Sequence, residues 1–329
     1  MKGLSLKLVP FPPGMDFFCP IRVLRRAADF FPWAAVLFAL ALMFRVEPVF
    51  AGPPLRIVSM SPSITEILFA IDAGPRVVGV TDFCKYPPAV TALQRVGGLL
   101  NPSFETIVSL KPDLVIHQHD SLRVQQSLRD LGIQTLPVNL VNLENILKSI
   151  LIIGEALDGL SPAQQLHDKL EREIDSYKIR LAGRKRKSVL MILGDSQDPL
   201  RDLYAVGKGT FLDELLTLAG GENILDRSLA VYPKVSKEFI LRRSPEAIVE
   251  AIPRSNFSPS ERMAHIAEWR RFPAIQAVKN DAIHFLAEDY ILIPGPRLLS
   301  IVDQLARAIH PELFGDGKKT AGQTKDVRP

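Results

Sequence analysis

Cysteine is scarce in this 329-residue chain, which contains only Cys19 and Cys84. Cys19 precedes an apolar run near the N-terminus, so it cannot be the lipid-modified cysteine that follows such a run. If that leader is removed, Cys84 is the one remaining thiol, and no internal disulfide can form. A chain of this length buries enough apolar surface to fold without such a crosslink.

Sequence motifs for catalysis and phosphate binding are also missing. Gly194-Asp195-Ser196 follows an apolar run, but it lacks the Gly-x-Ser-x-Gly pattern and suitably ordered His and acid partners. Gly207-Lys208-Gly209 lacks the surroundings of a phosphate-binding loop. We therefore expect no enzymatic activity.

The chain has little excess charge, with 40 basic and 36 acidic residues and a net charge of +4. Part of this excess lies in the leader and the C-terminal tail, so it does not indicate nucleic-acid binding. The one basic cluster inside the body is Arg184-Lys185-Arg186-Lys187. A solvated loop before a strand is the favoured interpretation, and a polyanion site is the alternative.

Long uncharged apolar runs are limited to Phe30 to Phe44 (FFPWAAVLFALALMF). This run is shorter than the about 20 residues of a membrane-spanning helix. A basic stretch, residues 22–26, precedes it, as in a signal peptide. We predict export to the periplasm, with residues 1–51 removed by cleavage after Ala51. An uncleaved membrane anchor is the alternative.

After the leader, short apolar runs alternate with segments of helical spacing. This alternation is typical of parallel sheets covered on both faces. The predicted strands are 56–60, 77–80, 113–116, 133–138, 189–193, 247–252 and 282–286. The predicted helices are 63–73, 104–110, 121–131, 211–219, 236–243, 266–271 and 297–308. Ser63 and Glu66 have the spacing of a capping box at the start of the first helix.

A long segment without strand signals, residues 142–181, separates two sets of strands. It is interrupted at Gly159 and at Ser161-Pro162, where Ser161 is predicted to cap a second helix. Its second part, Pro162 to Ala182, is charged and is expected to be a rigid connector. The predicted organisation is an N-terminal α/β lobe over 52–145, a helical connector over 146–183, a C-terminal α/β lobe over 184–314 and a disordered tail over 315–329.

One sequence element occurs in both predicted lobes. SFETIVSLKPDLVI at 103–116 and SKEFILRRSPEAIV at 236–249 share Ser, Glu, Ile and Pro at a constant offset of 133. The same offset relates the first predicted strand of each lobe. A Glu in the first helical turn is favourable for the helix dipole, but the dipole does not explain why both copies place it two residues after Ser.

Several segments in this order resemble the substrate-binding proteins of ABC importers for cobalamin and iron chelates. They are RIVSMSPSITEILFAI, VVGVTDFCKYPP, VGGLLNPSFETIVSLKPDLVI, GKGTFLDELLTLAGGENI, YPKVSKEFILRRSPEAIV and GPRLL. The resemblance covers roughly residues 55–313. It implies a class III periplasmic binding protein fold, with two parallel-sheet α/β lobes joined by a single long backbone helix.

The resemblance also implies partners. In that family a Glu on the outer surface of each lobe pairs with arginines of the transmembrane permease dimer, and the matching positions are Glu105 and Glu238. Such pairs determine the orientation of the docked protein and its rate of encounter with the permease more than its affinity for the permease. A monomer that carries a small-molecule ligand, without a cofactor of its own and without nucleic acid, is expected.

The ligand is expected between the lobes, because ligands of parallel α/β sheets bind outside the carboxyl ends of the strands. The predicted ligand-binding residues are Ser61, Phe83, Tyr86, His117, His119, Tyr204, Tyr232, Tyr290 and Arg297. Cobalamin or another corrinoid is the expected ligand, and an iron-siderophore or haem is the alternative. Phe83 and Tyr232 stand where cobalamin-binding relatives place aromatic residues, whereas Leu99 and Gln118 replace two of their Trp contacts.

Four predicted cleft positions have open roles. His117 or His119 is a candidate contact to a metal in the ligand, and hydrogen bonding to ligand or water is the favoured alternative. Arg297 is a candidate partner for an anionic ligand group, and a place at the start of the last helix is the alternative. For Cys84 a buried filler role is favoured over metal contact.

Overall fold

The structure, a computed structural model, describes residues 56–194, 200, 202–226 and 230–314. The predicted leader with its cleavage site and the predicted tail lie outside the described residues. No helix in the described ranges combines the length and the apolar character needed to cross a membrane.

The N-terminal lobe is built on a five-stranded sheet in which every pairing is parallel. Its strands, in the spatial order β3-β2-β1-β4-β5, are β1 (Ile57–Ser59), β2 (Val77–Val80), β3 (Gln94–Arg95), β4 (Leu114–Gln118) and β5 (Thr135–Val138). Its helices are α1 (Pro62–Ala70), α2 (Phe104–Ser109) and α3 (Leu122–Asp130). Because the strands are parallel, all their carboxyl ends lie at one edge of the sheet.

A connector of two helices follows, α4 (Leu143–Ala156) and α5 (Leu160–Leu181), which pack against each other. The predicted cap at Ser161 is wrong, because α5 begins at Leu160 and Ser161 lies inside its first turn. The 22 residues of α5 form the long backbone helix. The buried face of α4 belongs to a core cluster that continues from β1 and α1, through α5, to the helices of the second lobe.

The C-terminal lobe carries a second five-stranded sheet, ordered β10-β9-β6-β7 with β8 also paired to β6. Its strands are β6 (Lys187–Leu193), β7 (Tyr204–Ala205), β8 (Gly221–Asn223), β9 (Ala247–Ile252) and β10 (Ile283–Ala287). Its helices are α6 (Phe211–Leu218), α7 (Lys237–Arg243), α8 (Pro259–Arg270), α9 (Gln276–Lys279), α10 (Leu298–Ile309) and α11 (Pro311–Phe314). Only β7 runs antiparallel to its neighbour.

The start of α1 differs from the sequence prediction. Ser61, not Ser63, caps the helix by accepting a hydrogen bond from the Ile64 N–H at 3.3 Å. Ser63 is buried in the first turn, and Glu66 turns into the interior instead of reaching back to a cap. The predicted capping box is therefore wrong, because Pro62 fits the first helical position and moves the start two residues earlier.

A capping box does occur in α8. The Ser258 hydroxyl accepts from the Glu261 N–H at 3.2 Å, and the Glu261 carboxylate accepts from the Ser258 N–H at 2.8 Å. This box starts the helix at Pro259, seven residues before the predicted range 266–271. The first two turns of α8 were not predicted, because the apolar pattern of this helix is weak.

The repeated element has the same local contacts in both lobes. Asp113 accepts a hydrogen bond from the backbone N–H of Arg56 at 2.9 Å, and Glu246 accepts one from that of Ser188 at 2.7 Å. Each carboxylate thus fixes the strand that follows the repeated helix against the first strand of its lobe. The N–H donors are 132 positions apart, one fewer than the offset of 133 between the carboxylates. The predicted offset therefore holds for the repeated element and is one residue too long for the first strand.

The candidate ligand cleft between the lobes

A cavity of about 560 Å³ lies between the carboxyl edges of the two sheets. From the N-terminal lobe, the end of β4 contributes Gln118, His119 and Asp120, and the residues after β5 contribute Leu140 and Val141. This volume falls within the usual range for small-molecule sites. The predicted position of the ligand site at the strand ends agrees with this cavity.

The C-terminal lobe supplies the other wall. Phe211 is the first residue of α6, Lys208 lies in the turn before it, and Tyr232 comes from the segment before α7. Tyr232 is 36% exposed, and burial raises the pKa of its phenol. The hydroxyl therefore stays protonated at neutral pH and can donate a hydrogen bond. Leu292 and Pro294 close this wall.

The two histidines predicted for the cleft have different environments. His119 is exposed and lines the cavity. His117 is 0% exposed, because β4 continues to Gln118 and turns its side chain into the core. Its Nδ1 lies 2.8 Å from the Gln118 carbonyl oxygen, and burial lowers its pKa. Only His119 is therefore placed to contact a ligand, which corrects the expectation for His117.

The Nε2 atom of His117 has no hydrogen-bond partner, and it is the one buried side-chain nitrogen or oxygen in the described ranges with that property. A neutral ring that donates from Nδ1 leaves a bare lone pair at Nε2. The apolar surroundings thus favour the neutral form of His117 over the cation.

Arg297 is engaged with protein carboxylates. Its guanidinium donates to both oxygens of Glu66, at 2.6 and 2.9 Å, and to Asp289 at 3.1 Å. The rings of Tyr86 and Tyr290 lie on it, with centroids 4.3 and 4.4 Å from Cζ. The expectation that Arg297 pairs with an anion on the ligand is therefore corrected, because its charge has partners inside the protein.

The Glu66–Arg297 pair connects the two lobes. Glu66 lies on α1 and is 4% exposed, and burial raises the pKa of its carboxyl, an effect that Arg297 opposes. For Arg297 burial disfavours the charge, but the hydrogen bonds and charge of Glu66 outweigh it and raise the pKa. We therefore treat the pair as ionised at neutral pH.

A further polar contact joins the start of α4, in the connector, to the C-terminal lobe. The Leu143 N–H donates to Glu214 on α6 at 2.6 Å. Burial raises the pKa of Glu214, and this hydrogen bond opposes the rise. The sequence analysis identified neither Glu66 nor Glu214 as a link, because no local pattern pairs residues so far apart.

The other predicted ligand contacts do not line the cavity. Ser61 is buried, and its hydroxyl is used as the α1 cap. Phe83 and Tyr86 are exposed on the loop after β2, at the same edge of the sheet as the cleft. Tyr204 is exposed on the edge strand β7, and Tyr290 accepts a hydrogen bond from Gln304 at 3.0 Å.

Among the residues that the structure describes, few metal-type side chains line the cleft. Cys84 is buried, with Sγ 3.1 Å from the hydroxyl oxygens of Thr65 and Thr81, as the filler interpretation predicts. In the described ranges, one group of three metal-type residues has ligand atoms within 4.8 Å of one another, namely His167, Asp168 and Glu171 on α5. None of these three lines the cleft.

The cleft wall carries a balanced charge over the residues that the structure describes. Asp120 and Lys208 are its acidic and basic side chains. Sequence reasoning missed Lys208 because Gly207-Lys208-Gly209 was considered only as a phosphate loop. The useful signal was its position just before Thr210, the residue that caps α6 by accepting from the Asp213 N–H.

Glu105 and Glu238 have matching environments. Each is exposed in the first turn of a short helix capped by Ser, with Ser103 accepting from Thr106 and Ser236 from Phe239, both at 3.2 Å. The backbone N–H of Glu238 and the Ser236 hydroxyl hold the pKa of Glu238 below its usual value. The Glu238 carboxylate is therefore charged at neutral pH.

The helix starts that carry Glu105 and Glu238 lie at the carboxyl edges of their sheets. The backbone N–H of Ser103 donates to Val96 at 2.8 Å, and that of Val96 donates to Val80, at the end of β2, at 2.9 Å. In the second lobe the Val235 N–H donates to Leu203, directly before β7, at 2.9 Å. The two glutamates therefore lie on the rims of the edges that form the cleft.

Comparison with known proteins agrees with this architecture. A family model described as periplasmic binding protein matches residues 57–290. An uncharacterized ABC transporter substrate-binding lipoprotein of Bacillus subtilis (strain 168) is 31% identical over 269 residues, covering 79% of this chain and 82% of that protein. A vitamin B12-binding protein of Salmonella typhi is 32% identical over 215 residues, covering 65% of this chain and 78% of that protein.

Solved structures share the fold. The crystal structure of a periplasmic vitamin B12 binding protein of Vibrio cholerae matches with a TM-score of 0.67 at 26% identity, covering 78% of this chain and 97% of that chain. A periplasmic heme binding protein from Pseudomonas aeruginosa matches with a TM-score of 0.67 at 23% identity, covering 79% of this chain and 94% of that chain. The second likeness concerns the fold alone. The predicted fold class, two α/β lobes joined by a long helix, is confirmed.

Proposed function

We propose that this chain, which belongs to the periplasmic binding protein family, captures cobalamin or another corrinoid in its interlobe cleft and delivers it to the permease of an ABC importer. Proteins of this family are substrate-binding components of transporters. They bind small-molecule ligands and interact with a permease. The ligand and the docking residues are the parts that we propose.

The observation that carries the ligand assignment is the charge balance of the cleft wall. Asp120 and Lys208 offset each other, and Arg297 is already paired with Glu66. A corrinoid presents a broad flat ring with neutral carboxamides, which suits a wall of balanced charge with hydrogen-bonding groups such as His119 and Tyr232. Among the described residues of the wall, haem propionates and anionic siderophores would meet one cation, Lys208. The vitamin B12-binding names of similar proteins support the same assignment.

A haem or iron-siderophore ligand is the second candidate. The exposed imidazole of His119 in the cleft favours it, because a neutral imidazole is a common ligand for iron. It also favours a cobalt contact in a corrinoid, so the histidine alone does not separate the two ligand classes. Direct comparison of the affinities for the two ligand classes separates them.

Delivery requires export and docking. We propose that residues 1–51 act as a signal peptide and that the protein works in the periplasm as a monomer. We also propose that Glu105 and Glu238 pair with basic residues of the permease dimer. Their exposure and their matched helix starts support this role.

Calorimetric titration with cyanocobalamin, a ferric hydroxamate and haem tests the ligand assignment. Tryptophan fluorescence is a poor readout, because Trp269 is 1% exposed and donates to the buried Glu250 at 2.6 Å. We expect one cyanocobalamin per protein, bound more tightly than either iron compound. Binding of haem or the hydroxamate without binding of cyanocobalamin would replace the corrinoid assignment with the second candidate.

A further inference from the structure

A second cavity, of about 690 Å³, lies between α4, the C-terminal end of α5 and α6, and it exceeds the volume of the ligand cleft. Its floor is apolar. Ile174 and Leu218 are buried members of the main core, and Leu143, Leu147 and Leu181 pack against that core while remaining partly exposed. We call this feature the connector groove. Its size suits a small-molecule ligand.

The mouth of the connector groove is basic, with Lys178, Arg184 and Arg186 in its lining. Lys178 is neutralised by Asp175 at 2.8 Å. Arg186 donates to the carbonyl oxygens of Thr217 and Gly221, at 2.6 and 3.2 Å. Neutral carbonyls hold its guanidinium in place without cancelling the positive charge.

Arg184 is exposed, and within the described ranges its side chain has no hydrogen-bond or ion-pair partner. It stands at the end of the connector, directly after the glycine turn that follows α5. Within the part of the chain that the structure describes, two arginine charges therefore have no carboxylate partner at the mouth of an apolar groove. The basic run that the sequence analysis assigned to a solvated loop supplies both of them.

The groove also contains two carboxylates, but both have their own partners. Glu144 accepts from Lys148 at 2.5 Å. Glu214 accepts from the Leu143 N–H at 2.6 Å. Lys148 compensates the charge of Glu144. The Leu143 N–H is neutral and leaves the charge of Glu214 in place, but the two charges of Arg184 and Arg186 exceed it, so the groove keeps a net positive charge.

We propose that the connector groove binds an anionic amphiphile, with its acyl chain on the leucine floor and its head group at Arg184 and Arg186. Arginine holds carboxylate and phosphate oxygens through paired hydrogen bonds. Burial of the chain on Leu147 and Leu181 supplies the apolar part of the affinity. A free fatty acid and an anionic phospholipid share this chemistry.

The groove adjoins the ligand cleft along the chain. Leu143 and Glu214, whose hydrogen bond joins the connector to the C-terminal lobe, line the groove, while Val141 and Phe211 nearby line the cleft. An amphiphile in the groove would therefore contact a polar link that fixes the connector to this lobe. The proposal itself does not depend on which ligand the cleft carries.

Calorimetry with octanoate, decanoate and dodecanoate, each below its micelle concentration, tests the proposal on the full chain. We expect one site per protein, with affinity rising about fourfold per added methylene, which is about 0.8 kcal/mol. Dodecyltrimethylammonium has the same chain and the opposite charge, and it should not bind. Equal binding of this cation would overturn the proposal.

Arg184→Glu and Lys185→Glu form a matched pair, because they are adjacent exposed residues with the same change in charge. Only Arg184 lines the groove, whereas Lys185 lies 3.6 Å from Glu246. We expect Arg184→Glu to weaken dodecanoate binding about tenfold or more and Lys185→Glu to leave it unchanged. Equal losses in both variants would show general electrostatic attraction and reject the site.

Co-sedimentation with vesicles identifies the source of the amphiphile. Vesicles of phosphatidylglycerol that bind the wild type and not Arg184→Glu would assign the head group to a membrane lipid. Binding of dodecanoate without binding of vesicles would assign it to a free fatty acid. Absence of both rejects the proposal, and cyanocobalamin affinity, which neither variant should change, reports separately on the cleft.

Discussion

Glu66 and Arg297, which lie 231 positions apart in the sequence, form a two-pronged ion pair between the lobes, with donor–acceptor distances of 2.6 and 2.9 Å. The Arg297 guanidinium also lies over the rings of Tyr86 and Tyr290. This pair gives the lobes a connection besides the helical connector, while the Leu143–Glu214 hydrogen bond fixes the start of the connector to the C-terminal lobe. We infer that the width of the cleft depends on the Glu66–Arg297 pair.

Glu66→Gln should destabilise the protein by about 3 kcal/mol, because it removes the main charge partner of a largely buried arginine. Asp289 remains as a partner, which keeps the loss toward the lower end of the range for broken buried pairs. Urea unfolding at pH 7 measures it. Asp175→Asn, which breaks the exposed pair with Lys178, is the control and should change little. Equal effects of the two variants would show that the lobes do not depend on the Glu66–Arg297 pair.

Stability should fall as the pH drops below about 6.5, partly because of His117. Burial lowers the pKa of His117 from 6.5, so the unfolded chain takes up a proton at a pH where the folded protein does not. The stabilisation is complete above the unfolded pKa and is lost as the pH falls toward the folded one. His284, whose pKa burial also lowers, adds to this dependence.

His117→Gln should therefore flatten the change in unfolding free energy between pH 7 and pH 5. Urea midpoints at several pH values measure it. His119→Gln is the matched control, since His119 is exposed, and it should retain the wild-type slope. A slope that is unchanged in His117→Gln would contradict the assignment of the acid sensitivity to the buried imidazole.

Permease docking should depend on Glu105 and Glu238 together. We expect the double change to Ala to leave cyanocobalamin affinity intact and to reduce the stimulated ATPase of the reconstituted importer to its basal level, because both docking charges are removed. A control with Glu155→Ala and Glu222→Ala removes two other exposed acids and should keep the stimulation. Loss of ligand binding in the first double variant would count against a docking role.

His119 should contribute directly to ligand affinity. Removal of one hydrogen bond costs about 0.5–1.5 kcal/mol, so His119→Ala should weaken cyanocobalamin binding by about threefold to tenfold. His119→Gln retains hydrogen-bonding groups and should recover most of the loss. An absorption shift of aquocobalamin on binding that is absent in both variants would indicate cobalt contact, whereas wild-type affinity in His119→Ala would remove this residue from the site.

Local sequence signals located most elements correctly. The strand predicted at 247–252 is β9 in every residue, and the helix predicted from Phe104 begins there as α2. These segments have strong apolar periodicity, and a Ser cap marks the start of α2. The edge strands β3, β7 and β8 were missed, because two or three residues give no measurable period.

Two site predictions failed for a common physical reason. His117 and Arg297 were assigned from their positions beside strand ends, but side-chain direction depends on where a strand actually stops and on what faces it. An extension of β4 to Gln118 buried His117. The Glu66 carboxylate, in the other lobe, forms an ion pair with Arg297. Sequence spacing contains neither fact.

The sequence by itself determined the two-lobe plan, the long helix between the lobes and the two Ser-x-Glu helix starts, because apolar periodicity and helix caps act over a few residues. Only the tertiary structure decided that Glu66 forms an ion pair with Arg297 and does not cap α1. It also decided that His119 and not His117 lines the cleft, and that Arg184 lines an apolar groove. Burial, charge pairing and cavity shape depend on residues brought together from distant parts of the chain, and no local pattern encodes that proximity.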